Sequence, residues 1–193
     1  MTLHGTCPSS QAVFRALIDA MSHPGITCEL PGQGEKTDQT HGLYTVLEVL
    51  LDHEVSYCVL GPRREEIDSR IFADTKARRA SVTRADYLVI EPSRSEGKIR
   101  EAKRGTLRYP DRGATAIYLV SERDSPTESA PDIRLEGPGI PTPMPPQMDG
   151  LDAQELIEIR RCNLDYPLGI DCIFLDADRQ VMCLPRTTKI EVD

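Results

Sequence analysis

Tryptophan is absent from this chain of 193 residues, and only three Phe and six Tyr are present. With 39% hydrophobic residues the composition is nonetheless that of a globular chain, and the length favours one domain over residues 1–193. No run of about 18 apolar residues exists to span a bilayer, and Met1 to Ser10 shows no apolar signal-peptide core. The expectation is a cytoplasmic protein with no membrane partner. Its six cysteines, at 7, 28, 58, 162, 172 and 183, contain no C-x-x-C pair, and no H-x-x-x-H occurs. Reduced thiols acting as small hydrophobes are expected, with no metal site. G-x-S-x-G, P-loop and H-E-x-x-H motifs are missing as well. Gly32-x-Gly34 lacks the third glycine and the preceding strand of a dinucleotide fingerprint.

Lysine is scarce. Only five of the 23 basic residues are Lys and 18 are Arg, within a formal net charge of -8. That balance argues against a general nucleic-acid binder, because a phosphate backbone selects a basic surface. An anionic ligand would need a local cluster, and arginine's planar fork suits phosphate oxygens. Most exposed arginines simply solvate a surface or pair with carboxylates.

Helical and strand patterns alternate along the chain. Ser9 or Ser10 is positioned to cap a helix whose apolar residues Val13, Phe14, Leu17, Ile18 and Met21 recur three and four apart before Pro24-Gly25. Pro31 to Thr40 reads as a polar loop. Gly42 to His53 is apolar almost all round and reads as a buried helix feeding a strand at Val55 to Leu60. A helix over Pro62 to Thr75, a strand over Tyr87 to Glu91 and a charged, exposed helix over Ser93 to Arg104 follow. Ala114 to Val120 and Ile133 to Glu136 read as strands around a loop at Ser121 to Asp132. The five prolines between Gly137 and Gly150 predict an extended connection. Leu151 to Asn163 reads as the last helix, capped by Asp149 or Asp152. This alternation implies a three-layer α/β/α domain with a mixed sheet.

The end of the chain, YPLGIDCIFLDADRQVMCLPRTTKIEVD, is its most informative part. Ile170 to Leu175 is apolar on both period-2 faces except at Asp171, as in a strand covered on both sides. Asp176 to Arg179 lacks glycine and fits a four-residue loop around a type I turn. Val181 to Leu184 returns, and Pro185 weakens the pairing because it has no N–H to donate. A carboxylate in such a strand needs a partner, and Arg186 is placed to supply one. Two readings stand side by side: the pair locks the hairpin end, or Arg186, Thr187 and Thr188 offer a fork and two hydroxyls to an oxyanion while Asp171 holds the fork. Arg15 and Arg161 join the candidate site if their helices end nearby. His23, beside Pro24-Gly25, is a weaker candidate.

Four segments in order carry a family resemblance: FRALIDAMSHPG from Phe14, GTLRYPDRGAT from Gly105, LEGPGI from Leu135, and the PLGID strand from Pro167 followed by LPRTT from Leu184. They resemble FRxLLxAMxxPG, GTxxxPxxGAT, LxGPGI and the carboxy terminus of the PhnH family, the H subunit of the bacterial carbon-phosphorus lyase system for phosphonate use. The resemblance covers nearly the whole chain.

The resemblance implies a reduced form of the large domain of pyridoxal-phosphate-dependent transferases. Those enzymes hold their cofactor on a lysine. Lys36, Lys76, Lys98, Lys103 and Lys189 lie in loops, surface helices or the tail by pattern, so no pyridoxal phosphate and no other cofactor is expected. The resemblance further implies a homodimer, and a role with the G, I and L components in displacing adenine from ATP by an alkylphosphonate, with the J component among the partners. The product would be alpha-D-ribose 1-alkylphosphonate 5-triphosphate. The poverty of catalytic motifs points to a structural or substrate-handling subunit. The alternatives are a free-standing nucleotide- or phosphonate-binding protein with a transferase-like pocket, and an assembly protein without ligand.

Overall fold

A seven-stranded mixed sheet organises the protein, whose structure is a computed structural model describing residues 10–32, 40–120 and 132–192. Its strands are β1 (Thr27–Glu29), β2 (Ser56–Leu60), β3 (Arg78–Arg79), β4 (Tyr87–Ile90), β7 (Thr115–Leu119), β10 (Asp171–Leu175) and β11 (Gln180–Leu184). They run in the order β1-β11-β10-β7-β4-β2-β3. From β10 to β3 every pairing is parallel, whereas β11 and β1 add antiparallel. A small antiparallel sheet contains β8 (Ile133–Gly137), β9 (Ile140–Met144) and β12 (Lys189–Val192), in the order β12-β8-β9. A separate ribbon joins β5 (Arg104–Thr106) to β6 (Tyr109–Gly113).

The central strands bury both faces, so each sends alternate residues to two different cores. Tyr57, Val59, Val89, Ile117, Ile173 and Leu175 meet α1 (Ser10–Ser22), α2 (His41–Leu50) and α3 (Arg64–Thr75) on one side. On the other, Leu88, Ile90, Ala116, Tyr118, Cys172 and Phe174 meet α4 (Ala153–Cys162), Leu135 of β8 and Ile190 of β12. Tyr118 and Phe174, neighbours across the β7–β10 pairing, stack with ring centroids 4.9 Å apart. The mixed sheet with helices on both faces agrees with the sequence, but the second outer layer is one helix plus a small sheet.

Helix starts and ends follow local chemistry. Asp152 caps α4, its side chain accepting from Glu155 N at 2.9 Å. Pro62 precedes α3, which stops at Lys76 in the left-handed conformation. Helix α2 is narrower than its sequence suggests, because Gly42, Leu43, Val46 and Leu47 form one buried stripe while Glu48 faces water. In the turn after β10, Arg179 donates its N–H to Asp176 O at 3.3 Å and has φ 63°.

The charged helix expected over Ser93 to Arg104 is not formed. Glu96 and Gly97 take left-handed backbone angles, which end any helix, and only a 3-10 turn at Lys98–Glu101 follows. Ser93, Ser95, Ile99 and Ala102 are buried, so the segment is a strap against α4. In the proline-rich connection, Ile140–Met144 is extended as expected yet joins a ladder as β9. Its edge position tolerates Pro141 and Pro143, which lack the N–H that a central strand would need. The tail also continues further than expected, as β12 paired with β8. Ser9 and most of the loop at Pro31 to Thr40 and of that at Ser121 to Asp132 lie outside the described residues.

Candidate functional site

The register of the carboxy-terminal hairpin decides what Asp171 touches. Cys172 pairs with Leu184, so Asp171 stands beside the point where β11 gives way to Pro185 and Arg186. Its Oδ1 accepts the Arg186 backbone N–H at 2.8 Å. The guanidinium returns to the same carboxylate, with Nε at 3.2 Å from both oxygens and Nη2 at 2.5 Å from Oδ2. The Arg186 side chain is 13% exposed and that of Asp171 26%. Nη1 donates to Pro110 O at 2.5 Å, which ties the β5–β6 ribbon to the main sheet.

Three segments crowd around this guanidinium. A Cβ at Gly113 would stand 2.3 Å from Gly169 O and 2.7 Å from Arg186 Nη1, so only glycine lets β6 approach. The loop from α4 to β10 is pinned by Asn163, whose Oδ1 accepts from Ile170 N at 2.8 Å while Nδ2 donates to Ile170 O at 3.1 Å. Arg186 is thus a joint between hairpin, ribbon and loop.

Beside that joint lies a cleft of about 520 Å³ between the end of α4 and the start of β12. Thr187, Thr188 and Lys189 line one side, and Arg160, Leu164 and Tyr166 the other. Thr188 is 5% exposed and its N–H donates to Pro185 O at 2.8 Å, but its Oγ1 is buried with no hydrogen-bond partner among the described residues. The cleft therefore combines a mostly apolar wall with Arg160, Lys189 and the already paired Arg186 against one carboxylate, Glu191, a lining of net positive charge that suits an organic anion.

The structure brings Asp171, Arg186, Thr187 and Thr188 together, but not Arg15 or Arg161. Arg15 is exposed on α1, and Arg161 donates to Glu158 at 2.7 Å; neither lines the cleft. Arg160, Asn163 and Lys189 line it instead. Their membership depends on the helical phase at the end of α4 and on β12 being a strand, neither of which their residue types announce. His23 is exposed on the helix end and pairs with Asp19 at 3.4 Å.

A second polar group lies where the strap meets α4. Asp152 at the cap of α4 and Glu155 and Glu158 within it, spaced three apart, are all buried. Tyr118 OH donates to Glu155 Oε1 at 2.8 Å and Ser95 N to Oε2 at 3.1 Å. Arg94 reaches Asp152 at 2.9 Å, and Arg100 grips Glu158 through Nε and, at 2.9 Å, Nη2. Burial raises the Tyr118 phenol well above its ordinary range, whereas the Arg100 hydrogen bond lowers the Glu158 carboxyl. The i, i+3, i+6 spacing was the available signal, masked because Glu ordinarily reads as exposed.

The chemistry of the remaining groups is quiet. Burial pushes the Cys162 thiol up to about 11 and raises Cys172 and Cys183, so none is poised as a thiolate. Among the described residues there is no group of three or more His, Cys, Asp or Glu side chains able to hold a metal ion. No helix among them is long and apolar enough to cross a membrane. Lys103 pairs with Asp86, Lys76 ends α3, and Lys98 and Lys189 are exposed.

Known proteins resemble this chain along its length. A protein of Stutzerimonas stutzeri named "Putative C-P lyase subunit protein HtxG" is 32% identical over 187 residues, covering 96% of this chain and 87% of that protein. The "Alpha-D-ribose 1-methylphosphonate 5-triphosphate synthase subunit PhnH" of Rhizobium meliloti (strain 1021) is 28% identical over 185 residues, covering 94% and 90% respectively. Residues 3–191 match the family described as "Bacterial phosphonate metabolism protein (PhnH)". The chain belongs to the PhnH family.

Proposed function

We propose that this chain is the H-type subunit of a cytoplasmic carbon-phosphorus lyase core complex. In this reading it acts as one domain with the G, I and L components in making alpha-D-ribose 1-alkylphosphonate 5-triphosphate from ATP and alkylphosphonate, with the J component also a partner. The observation that carries the reading is the family match over residues 3–191, together with relatives named as subunits of this system. Its role is substrate handling or assembly, with the bond-making groups on its partners. Supporting this, the buried carboxylates among the described residues, Asp152, Glu155 and Glu158, are engaged in structural pairs.

Within that role, the cleft beside Arg186 holds the oxyanion of a ligand, with Arg160 and Lys189 as the available cations, because Asp171 and Pro110 O already occupy most of the Arg186 fork. The fold is read as a reduced relative of the pyridoxal-phosphate-dependent transferases without the cofactor lysine. The purified protein should then show no aldimine absorbance that borohydride abolishes; such a band would contradict the assignment.

The test of function is genetic and biochemical together. A strain deleted for its own H subunit should regain growth on methylphosphonate with this chain, and a tagged copy should co-purify with the G, I, J and L components. Failure of both would sink the reading. The alternative of a free-standing binder predicts ligand binding without any co-purifying subunit.

A further inference from the structure

The β5–β6 ribbon belongs to neither sheet. A two-stranded hairpin alone is marginal in water, so its root must be held by something else. Arg186 Nη1 holds Pro110 O at 2.5 Å, Gly169 N donates to Arg104 O at 3.0 Å, and Ala114 N to Lys103 O at 2.8 Å. At Gly105, with φ 79°, a Cβ would meet Pro110 O at 2.7 Å, so the bulge that shapes the ribbon needs glycine.

The tip has no such support. Leu107 is 80% exposed, and Tyr109, also exposed, carries the guanidinium groups of Arg108 and Arg112 at 5.3 and 4.6 Å from its ring centroid. Next to the root, Arg104 lies 3.9 Å from Asp165, between Leu164 and Tyr166, which are 69% and 66% exposed. Large apolar side chains interleaved with arginine, with Tyr and Arg prominent, are the composition of a protein-binding hot spot. The ribbon carries Arg104, Arg108 and Arg112 against one acid, Asp111, in a chain whose net charge is -8. Local and global charge thus have opposite signs.

We infer that the β5–β6 ribbon is a docking arm for another protein subunit, one that presents an apolar depression for Leu107 and Tyr109 rimmed by carboxylates for Arg108 and Arg112. The inference rests on the functional reading above, which supplies other subunits as partners. A second copy of this chain does not fit, because a twofold contact would set the three ribbon arginines against three more. Nucleic acid does not fit the overall negative charge. A further exposed apolar pair, Phe14 and Ile18 on α1, is flanked by Arg15 and Asp19, charges of both signs that select no partner.

The test uses the full chain co-expressed with the G, I, J and L components, comparing wild type with Leu107→Asp and with the double variant Arg108→Glu, Arg112→Glu. These side chains are exposed, so melting should stay within about a degree of wild type. Recovery of the partner subunits should fall about tenfold or more in each variant. Wild-type recovery by both folded variants overturns the docking arm and leaves the functional reading standing. If the wild-type chain recovers no partner, the arm is overturned, and the functional reading falls with it only when growth on methylphosphonate is not restored either. Self-association of the wild type that is lost in Leu107→Asp, or single-stranded RNA binding lost in the arginine double variant, would also overturn the proposal by naming a different occupant.

Discussion

Arg186 spends its fork on Asp171 and on the Pro110 carbonyl, so removing it strands a carboxylate and frees the β5–β6 ribbon at once. Because Asp171 keeps its bond from the Arg186 backbone N–H and some contact with water, Arg186→Ala should cost about 2 to 3 kcal/mol, less than a fully buried pair. For a chain of this size that is a fall in Tm of about 5 to 10 °C by calorimetry. A change within about one degree would refute the lock. Thr188→Val removes a buried hydroxyl that has no partner among the described residues and keeps the shape, so Tm should hold or rise slightly. Growth on methylphosphonate should weaken in that variant if the hydroxyl serves a ligand, and unchanged growth would remove Thr188 from the site. The Asp171–Arg186 pairing was legible in the sequence because a lone carboxylate in an apolar strand demands a cation. Arg160 and Lys189 were not, since exposed basic residues carry no mark of the surface they face.

Helix α4 and the strap over Ser93 to Ala102 depend on each other through the row of buried acids. Glu158 has its carboxyl lowered by Arg100, so it stabilises the fold above its ordinary value of 4.5, and that contribution is lost as pH falls through the depressed folded value. The gap in Tm between wild type and Glu158→Gln should be widest near neutral pH and close in acid. A gap independent of pH would mean that packing and not the ion pair holds the strap. In sequence this element carries the charge pattern of a solvated helix. Glu96 and Gly97, in left-handed angles, and the buried Ser95 reverse that reading only when α4 is there to receive the strap.

The whole molecule is expected to be a homodimer when isolated, in keeping with the transferase-like fold proposed for it. Light scattering should give a mass near twice the 21.5 kDa of one chain over a wide concentration range. A monomeric mass throughout would reject it. A dimer that survives Leu107→Asp would keep the two surfaces distinct and the docking arm available to other subunits.

The sequence by itself determined the strands and helices whose apolar period is strong, the four segments that mark the family, and the pairing demanded by Asp171. Periodicity and a charge without water are local signals, readable within a few residues. Only the tertiary structure decided that the proline-rich connection and the tail meet in one small sheet, that three glutamate and aspartate side chains turn inward, and that Arg186 fastens the ribbon. Each of those depends on a partner distant in sequence, whose approach is set by the packing of the whole chain and leaves no periodic trace where it lands.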